Sequence, residues 1–146
     1  FIVGFPGETE EAFQELLKFI EEQKFDRVGC FKYSQEENTK AGELDGQVDE
    51  ETKQRRHDTL MELQQQISRE KHQEWVGKKI PVLVEGLSEE TELLLQGRAP
   101  FQAPDIDGVT LIADGQAEVG QTVWVEVTDA HDYDLVGSIL GPVLVR

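Results

Sequence analysis

Cysteine is nearly absent from this sequence: Cys30 is the only one. A single thiol excludes an internal disulfide and any cysteine-based metal cluster held by this chain alone, and it fits a reducing, cytoplasmic setting. Long apolar runs are missing too. None approaches the roughly 18 residues a membrane span requires, and no basic-then-apolar leader points to export. Cations are scarce, and unevenly so. Residues 1–79 hold 12 Lys and Arg against 18 Asp and Glu, a net of −6. Residues 80–146 hold only Arg98 and Arg146 against 12 acids, a net of −10. Nucleic-acid binding draws much of its affinity from neutralised phosphates, and the second part of the chain has little to neutralise them with. An acidic surface suits a basic protein and speeds that encounter by long-range attraction; the plain alternative is solubility.

What is present begins with "FIVGFPGETEEAF". There is no initial methionine, and an apolar run turns through two glycines into a helix, so the expectation is an interior strand of a longer protein. Phe1–Val3 reads as the end of a buried strand and Gly4–Glu8 as its turn. Thr9 is placed to cap a helix whose first turn carries Glu10 and Glu11, where free amides and the positive dipole end favour oxygen and negative charge. Phe13, Leu16, Leu17 and Ile20 follow at helical spacing to about Gln23. A second strand is predicted over Arg27–Tyr33, which makes a parallel strand–helix–strand crossover that needs neighbouring strands to cover it.

Residues 34–48 are polar and glycine-containing, a loop. Asp49, with Val48 before it as a staple, then starts a long helix reaching about Trp75. Its apolar stripe of Leu60, Leu63 and Ile67 is thin, which predicts a strap across a larger body rather than a core helix. From Val76 the texture changes to five short strand-like runs in about 70 residues, as in a small antiparallel barrel of the oligonucleotide-binding (OB) kind. Val123, Val125 and Val127 alternate and should face inward, leaving Trp124 and Glu126 outward. The predicted organisation is an α/β fragment over 1–45, a connecting long helix over 46–75 and an all-β barrel over 76–146.

Several motifs carry possible chemistry. The "GFPGET" turn lies where ligands bind in α/β folds, but it has neither P-loop nor dinucleotide spacing, and a structural turn is the competing reading. His57, His72 and His131 are dispersed and lack metal-ligand spacing. Cys30 has no nearby cation to activate it and reads as a small buried group. Asp105 and Asp107 are spaced for acid–base work or, more plainly, for a turn. Trp124 either anchors a partner or packs against the long helix or a missing domain.

Four stretches, "IVGFPGETEEAF", "FDRVGCFKYSQEENTKA", "GRAPFQAPDIDGV" and "VEVTDAHDYDLVGSIL", resemble the carboxyl-terminal half of the RimO family. These are radical S-adenosylmethionine methylthiotransferases that act on an aspartate of small-subunit ribosomal protein twelve. The resemblance implies that residues 1–45 end a radical-enzyme partial barrel, with Ile2 and Gly4 at the apolar and glycine positions beside the adenine of S-adenosylmethionine. It implies a TRAM domain from about Val76 that grips the basic ribosomal protein, with Trp124, Glu126, Asp105 and Asp107 as the residues put forward for docking. The full-length parent would use S-adenosylmethionine and two 4Fe-4S clusters. This fragment would hold neither catalytic nor metal-binding residues, because the cluster cysteines belong upstream, and it would be inactive alone. Gln35 and Asn38 depart from the family's usual proline and glycine, both within a loop. Two alternatives stand beside this reading: the same half of a tRNA methylthiotransferase, for which a basic stripe on the barrel would speak, and a stand-alone acidic interaction module.

Overall fold

A computed structural model describes residues 1–89, 91–104 and 107–143. The chain divides into two compact units, Phe1–Ser68 and Arg69–Arg146.

In the first unit, β1 (Ile2–Val3), α1 (Glu10–Gln23) and β2 (Phe31–Lys32) form the expected crossover. The strands pair parallel, Ile2 opposite Phe31 and Val3 opposite Lys32. Both are shorter than the apolar sequence runs suggest, because ladder pairing extends only where the other strand lies alongside. Thr9 caps α1 by accepting from the Ala12 amide at 3.2 Å. At the other end Lys24 turns left-handed (φ 47°, ψ 56°) and its amide closes onto the Ile20 carbonyl at 3.0 Å. Helix α2 (Glu50–Gln73) begins with the Asp49 carboxylate accepting from the Thr52 amide at 2.8 Å.

The core of this unit contains Val3, Phe13, Ile20, Cys30, Leu60 and Ile67. Leu60 and Ile67 are thus core residues, and the reading of α2 as a strap without a core role is corrected here. Its stripe is thin because polar side chains complete the buried face: Lys53, Arg56, Gln64 and Ser68 are all under 6% exposed. On the opposite side of the strand pair, Ile2 and its cross-strand neighbour Phe31 are 59% and 71% exposed.

In the second unit, β3 (Lys79–Leu87), β4 (Leu95–Arg98), β5 (Thr110–Asp114), β6 (Thr122–Ala130) and β7 (Leu135–Pro142) close into a barrel in the order β3-β4-β5-β7-β6. Ile80, Val82 and Val84 alternate inward on β3, as Val123, Val125 and Val127 do on β6, and with Ile112 and Leu135 they fill the interior. The expectation of an antiparallel barrel needs one correction: β5 and β7 pair parallel, Thr110 opposite Leu135. The reason is parity. Directions cannot alternate all the way round a closed ring with an odd number of strands, so at least one neighbouring pair must run together. Gly137 of β7 permits the close approach of β6, since a Cβ there would overlap Val125 Cγ1 and the Glu126 carbonyl.

The last turn of α2 belongs to this unit and fastens the β6–β7 turn. Arg69 grips Asp132 with two bonds, Nε to Oδ1 at 2.6 Å and a terminal nitrogen to Oδ2 at 3.0 Å. The buried His72 donates from Nδ1 to the His131 carbonyl at 3.0 Å, and Gln73 donates to the Ala130 carbonyl at 2.9 Å. Trp75 stacks on Phe101 with ring centres 4.6 Å apart.

Candidate binding groove

The barrel carries a groove of about 450 Å³. From the β3–β4 side it is lined by Glu85, Ser88, Glu89, Gln96 and Arg98, and from the β4–β5 connection by Ala103, Pro104, Asp107, Gly108 and Val109. Leu111 of β5 and Asp134 of the β6–β7 turn complete it.

Local hydrogen bonds fix its walls. Asp107 accepts from the Ala103 amide at 2.8 Å, which fixes its carboxylate beside Ala103. Asp134 accepts from the Val109 amide at 2.7 Å, tying the β6–β7 turn to the start of β5. Gln102 is buried beneath the connection, and its carbonyl oxygen accepts from the Ala99 amide and the Thr110 hydroxyl, each at 2.8 Å. Arg98, the one cation in the lining, is held by Glu85. Glu89, Asp107 and Asp134 then dominate the charge of the groove.

Of the residues expected to dock a substrate, Asp107 lines this groove and Asp105 lies outside the described residues. Trp124, 40% exposed on β6, lines a different and shallower concavity with Lys79, Leu140, Gly141 and Pro142. Glu126, half-buried, follows two positions along the strand on the same outward face, opposite Lys79 in register. Glu85, Glu89 and Asp134 carry no local sequence pattern that sets them apart. The signal available for them was the OB topology itself, whose second and third strands and flanking loops form the usual binding face.

The glycine turn of the first unit is engaged internally. The Gly4 amide donates to the Glu8 carboxylate at 3.0 Å, the Gly7 amide to the Gly46 carbonyl at 2.9 Å and the Glu8 amide to the Phe5 carbonyl at 2.9 Å. Gly4 adopts φ 76°, and the side on which a Cβ would project is filled by the Lys53 side chain. Ile2, by contrast, offers open apolar surface. Beside this turn Arg56, its side chain only 5% exposed, donates to the Glu8 carboxylate at 2.7 Å and reaches Glu10 at 3.3 Å. Arg55 also bonds Glu10, at 2.8 Å, and chiefly through that bond the Glu10 carboxyl is held down at about 2. Burial pushes the Cys30 thiol up, away from nucleophilic reactivity.

The histidines serve separate ends. His57 contacts Asp58 at 3.0 Å, His72 bonds a carbonyl and His131 is exposed. Among the described residues no group of three or more His, Cys, Asp or Glu is placed to hold a metal ion, and no helix is long and apolar enough to cross a membrane. A four-iron cluster with one open iron needs three thiolates, so the residues of this chain do not fit that group.

Residues 76–140, which take in this barrel almost entirely, match the TRAM domain family. Over that span the barrel is similar to TRAM domains. Over 140 of its 146 residues the sequence is similar to ribosomal protein uS12 methylthiotransferase RimO. The RimO of Bdellovibrio bacteriovorus is 68% identical over 140 residues, covering 96% of this chain and 31% of the relative. Those of Syntrophotalea carbinolica and of Anaeromyxobacter sp. strain K are each 54% identical, covering 96% and 95% of this chain and 31% and 30% of the relative. The chain therefore spans about a third of the length of these relatives.

Proposed function

We propose that this chain is the substrate-recognition part of a radical S-adenosylmethionine methylthiotransferase that adds a methylthio group to an aspartate of ribosomal protein uS12. Its TRAM barrel docks the basic ribosomal protein, and it does not bind tRNA. The observation that carries this reading is the sign of the barrel: of its groove's charged residues only Arg98 is a cation, and Glu85 holds it. That surface repels a phosphate backbone and attracts a lysine- and arginine-rich protein. The similarity to RimO over nearly the whole chain supports the choice of substrate.

Chemistry in the parent enzyme belongs to S-adenosylmethionine and its iron–sulfur clusters, which supply the radical and the transferred sulfur. The contribution of this chain to the cofactor is one wall. Ile2 offers exposed apolar surface against which an adenine could lie, while Gly4 allows the chain to turn tightly under Lys53. Trp124, Glu126, Asp105 and Asp107 remain the sequence-derived candidates for substrate contact.

The test is a titration of the chain with purified uS12 and, separately, with bulk tRNA, each at two salt concentrations. Salt-sensitive binding to uS12 and none to tRNA is expected. Tight binding to tRNA would overturn the reading.

A further inference from the structure

Acidity is spread over the barrel surface, but its topology collects part of it at one place. Two connections meet at the groove: β3–β4, which brings Ser88 and Glu89, and β6–β7, which brings Asp134. In five-stranded OB barrels these two connections and the face of the second and third strands are where oligonucleotides lie. An oligonucleotide site needs cations along its path. Here the location is kept and the sign is reversed.

A second feature is independent of charge. Leu93, on the β3–β4 connection, is 91% exposed, and Tyr133, on the β6–β7 turn, is 48% exposed. Between these connections the groove offers Pro104, Val109 and Leu111. Exposed apolar side chains on the two connections that border a groove with apolar lining mark a surface that something covers.

Resting on the reading that the barrel docks a basic protein, we propose that this groove is the docking site and takes an extended segment in which Lys or Arg alternates with apolar residues. Glu89, Asp107 and Asp134 meet its cations, and Leu93 and Tyr133 flank its apolar side chains. The carboxylates of Asp107 and Asp134 are anchored to the Ala103 and Val109 amides before any partner arrives, so little ordering is left to be done on binding. An extended segment suits the site because alternate side chains of a strand-like peptide point to opposite sides. One set of side chains can then enter the groove while the other meets its rims.

The experiment uses the 146-residue chain with purified uS12 as the probe. One variant combines Glu89→Gln, Asp107→Asn and Asp134→Asn, which removes three charges and keeps the acceptors for both amides. A matched variant removes three charges elsewhere on the barrel: Asp114→Asn, Glu118→Gln and Asp129→Asn. The groove variant should bind at least tenfold more weakly, with a flatter salt dependence, and the matched variant less than threefold more weakly. Leu93→Ser, at a position too exposed for folding to be at stake, should weaken binding about fivefold. Equal losses in the two triple variants would overturn the groove and leave the basic-protein reading standing, with net charge as its cause. Loss in Trp124→Ala with an unchanged groove variant would move docking to the shallow concavity on β6. Wild-type chain that does not bind uS12, or whose uS12 is displaced by tRNA, would sink both.

Discussion

Replacing Arg56 by methionine keeps most of the side-chain volume and deletes the guanidinium, so it isolates the ion pair beneath the glycine turn. Arg56 donates to the Glu8 carboxylate at 2.7 Å and to the Glu8 carbonyl at 3.1 Å, with its cationic carbon 5.6 Å from the centre of the Phe13 ring. Without it the Glu8 carboxylate, 14% exposed, retains the Gly4 amide as its donor. Breaking a buried pair from one side costs about 3–5 kcal/mol. The residual amide bond and slight exposure place Arg56→Met near the lower end, about 3 kcal/mol. Glu8→Gln leaves the buried Arg56 guanidinium with Glu10 at 3.3 Å as its remaining carboxylate, while the neutral oxygen still accepts from Arg56 and Gly4. It loses only the charge assistance, about 1–1.5 kcal/mol. In the Arg56→Met background the same Glu8→Gln change should be neutral or stabilising, since it removes the stranded carboxylate. The double-mutant coupling is then at least about 1–1.5 kcal/mol.

Urea unfolding at pH 7 reads this directly. Circular dichroism at the helix band follows α1 and α2, whereas Trp75 and Trp124 both lie in the second unit and follow the barrel. The helix transition should shift and the tryptophan transition should not. A loss below about 1 kcal/mol for Arg56→Met, where about 3 is expected, would refute the reasoning. So would a Glu8→Gln penalty equal in both backgrounds.

Gly137→Ala should act on the other unit: its new methyl meets Val125 and the Glu126 carbonyl, so a loss of about 2–3 kcal/mol is expected in the tryptophan transition, with the helix signal unaffected. Glu10 gives a pH dependence of defined sign. Its carboxyl is held at about 2 against an ordinary 4.5, so its contribution is complete above pH 4.5 and is lost as pH falls towards 2. Thermal unfolding of the chain and of Arg55→Gln should therefore differ above pH 4.5 and converge below it, and a difference that persists at pH 2 would contradict the assignment.

The legible parts of this fold are those decided by local chemistry. Thr9 and Asp49 announced the two helix starts because capping needs only a side-chain oxygen and an amide three residues on. The valines of β6 announced their inward face by period-two alternation. Arg56, Lys53 and Gln64 were hidden because their residue types usually mark solvent, and only the tertiary arrangement buries them. The parallel β5–β7 pair was equally hidden strand by strand, although it follows once closure and an odd strand number are assumed together. The groove draws on side chains spread from Glu85 to Asp134. Of these only Asp107 stood out, because the rest are single acids and small residues in runs whose neighbours in space no local pattern reveals.

Closure of the barrel also sets the kind of recognition open to it. In the ring β3-β4-β5-β7-β6 each strand already has a neighbour on both sides, so its main-chain donors and acceptors are committed to the ladder. A partner peptide cannot join as an added strand. Its identity must be read by side chains alone, and a few surface substitutions could re-address the domain to another partner while the scaffold stays unchanged.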